Sequence, residues 1–168
     1  MTERTGEWQP GRGAGFFRGA MLCIFFCLYL PAWGHGAEDL VLRVYDWKTG
    51  ETYLEVPARV NGRLFFGWMH SLEHIPWHEH YHIDENRNLI LDSIAFPAFG
   101  AGIPESKGTR TYVKDGMIHM ENIAQVFPEL DWINSHYATR QIMLDGVPVA
   151  SGAELPEHTR LRLIIERR

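Results

Sequence analysis

Beyond residue 38, the chain alternates apolar and polar residues in short runs that are separated by turn-forming dipeptides. Alternation with a period of two is typical of half-buried strands, and tight turns between such runs favour antiparallel pairing. The strongest turn signals are Asn61-Gly62 and Asp145-Gly146, and we expect each to close a hairpin. Pro57 indicates an edge strand or a bulge, because proline donates no hydrogen bond to a ladder. The pattern therefore predicts an all-β chain.

Nine segments follow this pattern closely enough to predict strands, with the region 127–135 interpreted as irregular and able to hold one helical turn. The predicted strands are 40–45, 52–60, 64–70, 77–83, 89–96, 109–113, 117–123, 137–144 and 161–165. About nine short strands at close spacing favour a small antiparallel β-sandwich or barrel. In the third strand we expect Phe66 and Trp68 to face the core. A chain of 168 residues suggests a single all-β domain, which we place at residues 39–168.

The N-terminal segment has the three parts of a secretory signal peptide. Three arginines in the first 18 residues precede an apolar run at 20–30, and Pro31 ends that run before a stretch of small residues. The run is shorter than the roughly 20 residues that span a bilayer as a helix. We therefore predict that residues 1–34 are a signal peptide and that the domain is extracytoplasmic, in the periplasm. The alternative is an uncleaved N-terminal anchor, which would be the domain's expected contact with the membrane.

Charge and cysteine content exclude several functions. The formal net charge of −5 argues against nucleic acid as a partner, because phosphates require a basic surface. Both cysteines, Cys23 and Cys27, lie in the N-terminal apolar run. Once that run is removed, the domain has no disulfide, no thiolate metal site and no cysteine nucleophile.

Residues 70–82 hold five of the nine histidines. In a strand, His78, His80 and His82 point to one face, while Glu79 and Tyr81 point to the other. Histidines at positions i and i+2 can share a divalent metal ion, so a histidine-rich metal-binding protein is one interpretation. A solvated polar face is the other interpretation. A divalent metal is the one cofactor that the residues suggest.

A hydrolase is a weaker alternative. The run from His70 to His74 fits the H-x-x-E-H pattern of inverted zinc peptidases, but that chemistry needs a helix, and Pro76 follows closely. Ser71 with His70 and Glu73 has the residue types of a catalytic triad. In a strand, however, His70 and Ser71 project to opposite faces.

One ordered set of residues carries a resemblance to a known family. The set is His70, Ser71, Glu73, Pro76, Glu79, Tyr81, Phe96, Phe99, Gly100, Ala101, Gly102 and Pro104. Its order and spacing resemble the bacterial family known as domain of unknown function 1850. The resemblance extends over about residues 39–168 and includes closing strands at 139–144 and 161–165.

The resemblance implies an association with TRAP transporters of the TAXI type, which import organic solutes with an extracytoplasmic binding protein. We therefore expect a non-enzymatic accessory domain whose partner is the transporter's membrane subunit or its solute-binding protein. The resemblance also implies one polar site, ligand-binding or structural. That site comprises His70, Ser71, Glu73, Glu79, Gly100 and Gly102, which antiparallel pairing would bring together. The resemblance does not extend to the histidines proposed as metal ligands.

Overall fold

Eleven strands and one short 3-10 turn make up the described part of the chain, which in this computed structural model is residues 39–97, 104 and 106–168. The elements are β1 (Leu40–Asp46), β2 (Thr52–Ala58), β3 (Arg63–Met69), β4 (Pro76–Ile83), β5 (Leu89–Phe96), β6 (Arg110–Lys114), β7 (Met117–Phe127), β8 (Leu130–Ile133), β9 (Thr139–Leu144), β10 (Val147–Ala150), η1 (Gly152–Glu154) and β11 (Arg160–Arg167). The predicted all-β fold is confirmed.

Two antiparallel sheets pack face to face as a sandwich. The small sheet has the order β2-β1-β11-β8, and the large sheet has the order β10-β9-β3-β4-β5-β7-β6. Alternate residues of both sheets form one apolar cluster between them, as the period-two pattern predicts. Its fully buried members include Leu42, Val44, Leu64, Ile94, Phe96, Met120, Ile142, Leu161 and Leu163. Phe66 is buried and Trp68 packs against this cluster, so the predicted face of the third strand is confirmed.

Of the two hairpins predicted from turn dipeptides, the structure contains one and lacks the other. Asp145-Gly146 closes the β9–β10 hairpin with φ of 51° and 80°, as predicted. The prediction of a hairpin at Asn61-Gly62 is wrong, because β2 pairs with β1 in the small sheet whereas β3 belongs to the large one. This turn is a crossover between sheets. Its backbone pairs instead with Ile83, which accepts from the Asn61 N–H and donates to the Gly62 carbonyl. The prediction of an edge strand at Pro57 is confirmed by β2.

The predicted irregular region 127–135 contains a strand instead of a helical turn. β8 pairs with β11 at the edge of the small sheet, and Asp131 forms ion pairs across the ladder with Arg160 and Arg162. Only four residues long, β8 is too short for its alternation to be distinguished in the sequence. β10 was also missed, because it is equally short and contains Pro148.

Two predictions fall outside the described residues. The signal peptide at 1–34 and the glycine loop with Gly100 and Gly102 belong to parts of the chain that the structure does not describe. Within the described ranges, no helix is long and apolar enough to cross a membrane.

Candidate functional site

Glu79 is a charged residue on the core-facing side of the large sheet. It lies on β4 in register with Phe66 of β3 and Ile94 of β5, both of which are buried apolar residues. Its neighbours on the same face of β4 are Trp77 and Tyr81, since strand side chains alternate between faces. One carboxylate therefore occupies a row of the sheet that is otherwise apolar.

Both oxygens of the Glu79 carboxylate accept hydrogen bonds from its own strand. The Trp77 indole Nε1 donates to Oε1 at 3.1 Å, and the Tyr81 hydroxyl donates to Oε2 at 2.8 Å. Burial raises the pKa of Glu79 above its ordinary value. Hydrogen bonds from Tyr81, Trp68 and Trp77, followed by the positive charge of Lys107, oppose that rise in pKa without cancelling it. The fold thus holds a carboxylate where its ionised form is disfavoured relative to water.

Two cavities meet at this carboxylate. The first, of about 280 Å³, lies between β3 and β8 and is lined by Phe66, Trp68, Glu79 and Trp132 among others. The second, of about 550 Å³, is also lined by Trp68 and Glu79, together with His70, Trp77, Ser106 and Lys107. We call these two cavities the Glu79 pocket. Concave, mostly apolar spaces with a few convergent polar groups are where small ligands bind.

Aromatic rings surround the carboxylate. The rings of Trp68 and Trp77 lie directly opposite each other on β3 and β4, with centroids 5.5 Å apart. His70 stacks on Trp68 at 5.7 Å, and Trp132 meets Phe66 edge to face at 5.2 Å. The buried indole N–H of Trp132 has no hydrogen-bond partner among the described residues. The pocket is therefore lined by aromatic rings around Glu79, with Lys107 at the second cavity and with Asp131, which is paired with Arg162, at the first.

The structure brings together part of the predicted polar site. His70 and Glu79 line the same cavity. Ser71 and Glu73 are exposed on the turn between β3 and β4, where the Glu73 backbone N–H donates to His70 Nδ1 at 3.3 Å. This segment is a turn with His74 at a φ of 53°, so the helix that zinc peptidase chemistry requires is missing at this position. The approach of the glycine loop to His70 stays a prediction.

The histidines of β4 lie on the opposite face of the large sheet, as predicted. His78 and His80 pack around Phe65 with ring centroids 5.3 and 5.2 Å away, and His82 pairs with Asp92 at 2.7 Å. Burial lowers the pKa of both His78 and His80, and neighbouring histidines lower it further. Within the described ranges, no group of three or more His, Cys, Asp or Glu residues is placed to hold a metal ion. The arrangement gives the predicted metal site no support.

Sequence reasoning missed Trp68, Trp132 and Lys107 as parts of a site. Trp68 was expected in the core, and Trp132 lies in the region interpreted as irregular. One feature of the sequence indicates that Trp68 and Trp77 are neighbours. A short turn between two predicted antiparallel strands restricts their register, and in the structure this register places Trp68 opposite Trp77. The approach of β8 and of Lys107 depends on tertiary packing, which the sequence pattern does not encode.

The fold and the pocket together define a two-sheet β-sandwich with a partly buried carboxylate in an aromatic recess. Residues 65–149, about half of the chain, match the family model described as Domain of unknown function (DUF1850). The chain therefore belongs to this family, and the resemblance carried by the central motif is confirmed. The match runs from β3 to β10 and contains the β3, β4 and β8 residues of the pocket. No curated protein and no solved structure gave a match.

Proposed function

We propose that this chain is an exported, non-enzymatic domain that binds a small organic solute in the Glu79 pocket, as an accessory part of a TAXI-type TRAP uptake system. The observation that carries the proposal is the position of Glu79. A carboxylate on the core-facing side of a sheet costs free energy, and this one borders cavities instead of being closed in by protein.

The composition of the pocket favours binding over a purely structural network. A network that only fixes the strands is satisfied by its own members and is covered by packing. Here Trp68 and Glu79 line both cavities, so the polar group and the rings are available to a ligand from either side. Trp132 adds a third indole at the first cavity.

Support for the uptake link comes from family membership, together with the signal peptide that the sequence predicts. A TRAP system of this type moves organic solutes through an extracytoplasmic stage. A small exported sandwich with an aromatic pocket suits a component that meets the solute there. Its partner in this proposal is the solute-binding protein or the membrane subunit.

The experiment titrates the purified full-length chain with a panel of organic amines, carboxylates, alcohols and sugars while tryptophan fluorescence is recorded. We expect at least one class to change the emission, because three indoles line the pocket. Trp68→Leu should abolish the response. Trp47→Leu, which alters an exposed indole elsewhere, should retain it. Emission that no compound changes, or a response that survives Trp68→Leu, would contradict the proposal.

The partner is tested separately. The full-length chain and the TAXI-type solute-binding protein encoded in the same genome are mixed, and complex formation is measured by calorimetry; the membrane subunit in detergent is tested in the same way. We expect one of the two to bind. If neither protein binds, the proposed association with the uptake system is wrong, whereas the proposed solute pocket is unaffected.

A further inference from the structure

We infer that the ligand of the Glu79 pocket is a small organic cation that presents an ammonium or guanidinium group to the carboxylate and to the tryptophan faces. This inference rests on the proposed function, since it names the class of solute. Its first support is charge. A partly buried carboxylate repels organic acids at close range and attracts cations, and the effect is stronger in an apolar recess than in water.

The aromatic rings supply the second support. A cation placed over the face of tryptophan within about 6 Å is attracted by the negative face of the ring. Trp68 and Trp77 both line the second cavity with Glu79, and their centroids are 5.5 Å apart. A ligand beside the carboxylate there is within reach of the half-buried indole of Trp68, whereas Trp77 is buried and stacks on Phe96 at 4.7 Å. Recognition of ammonium groups by aromatic cages uses this combination of rings and a nearby negative charge.

The neighbours of Glu79 argue for an organic cation over a metal ion. Divalent metal ions such as Ca²⁺ need several oxygen ligands. The side chains that hydrogen-bond to the Glu79 carboxylate, Trp77, Tyr81 and Trp68, all act on it as donors. The described residues offer no cluster of three metal-ligating side chains anywhere. One carboxylate with π faces satisfies an alkylammonium group, which requires no such cluster.

Lys107 already places a positive charge near this carboxylate. It lines the second cavity, and its charge lowers the pKa of Glu79. A bound cation would act on the carboxylate in the same direction. Because Lys107 carries the same sign as the inferred ligand, it opposes the approach of that ligand. Lys107→Ala should therefore strengthen cation binding several-fold.

The test uses the full-length chain near neutral pH and compares shape-matched probes by calorimetry. Choline is paired with its neutral isostere 3,3-dimethylbutan-1-ol, and butylammonium is paired with butan-1-ol; butyrate is the anion. We expect at least one cation to bind about tenfold or more tightly than its neutral partner, a difference of roughly 1.4 kcal/mol. Glu79→Gln should remove that preference. The matched control Glu85→Gln, at an exposed turn position, should keep it.

The outcomes separate this inference from the proposed function. Equal binding of a cation and its isostere, tighter binding of butyrate, or unchanged cation affinity in Glu79→Gln would overturn the inference and leave a solute pocket. If only sugars or acids of the fluorescence panel bind and no cation does, the inference is likewise overturned and the solute pocket remains. If no compound of any class binds, both the inference and the proposed function fail.

Discussion

At the residue scale, the main feature is that Glu79 is placed where its charge is unfavourable. Its pKa in the folded chain lies above the ordinary value of 4.5, mainly through burial. A carboxyl whose pKa is raised by folding stabilises the fold at pH values below the ordinary pKa. That contribution is lost as the pH rises through the folded pKa. Ionised Glu79 therefore lowers the stability of the domain near neutral pH.

Glu79→Gln should accordingly raise the Tm near neutral pH by a few degrees, because it removes the ionised form. The Tyr81 hydroxyl can accept a hydrogen bond from the new amide, so the site stays paired. The gain should vanish at about pH 4, where the native carboxyl is protonated. Thermal unfolding followed by circular dichroism at several pH values measures this. A variant that is less stable than the parent near neutral pH would show that Glu79 is structural.

Two indoles of the pocket give a matched pair of substitutions. Trp77→Phe removes the donor to Glu79 Oε1 and truncates a buried ring, so we expect a loss of about 2–4 kcal/mol. Trp132→Phe removes a buried N–H that has no partner among the described residues, and we expect a change within about 1 kcal/mol. Urea unfolding of both variants tests the difference. Equal losses would mean that the hydrogen bond to Glu79 contributes little.

At the element scale, the strands that carry the pocket differ in how much their sequences reveal. β4 alternates so regularly that the faces of Glu79 and of the histidines His78 and His80 follow from the sequence alone. β8 and β10 were missed because four residues give no readable period. The Asn61-Gly62 error has another cause: a dipeptide specifies a turn, and the sheets to which the flanking strands belong are decided by long-range packing.

The segment that carries Lys107 is held against β7 by a close backbone approach at Gly108. A Cβ at Gly108, whose φ is 77°, would lie 2.1 Å from the carbonyl oxygen of Glu121. Gly116 has a similar φ of 75° with open space around it. Gly116→Ala should cost roughly 1–2 kcal/mol through backbone strain alone. Gly108→Ala should cost about 3 kcal/mol or more, because the steric clash adds to the strain. Denaturant unfolding compares the two, and similar losses would contradict the close approach.

At the scale of the whole molecule, the described sandwich has one apolar core shared by two sheets, and the family match covers the large-sheet strands that bear the pocket. The candidate site was less predictable than the fold. Glu79 and His70 were selected from the sequence, whereas the aromatic walls depend on how β3, β4 and β8 meet. Sequence patterns fix which face a side chain occupies, and tertiary packing decides which faces border a cavity.

That the protein is exported is a prediction about the whole molecule. If residues 1–34 are a cleaved signal peptide, the chain recovered from the extracytoplasmic fraction should begin between residues 35 and 37. Mass spectrometry of the intact protein measures the new N-terminus. A chain that begins at Met1 and fractionates with the membrane would favour the uncleaved anchor.

The central claim is that the Glu79 carboxylate receives a cation, and its titration tests this most directly. Carbon-13 labelling of glutamate side chains in the full-length chain, with Glu79→Gln to assign the resonance, gives the pKa of this group with and without choline or butylammonium. We predict a pKa above 4.5 in the free chain and a lower one when a cation is bound, because binding and ionisation favour each other. A Glu79 titration that saturating amounts of both cations leave unchanged would contradict the account.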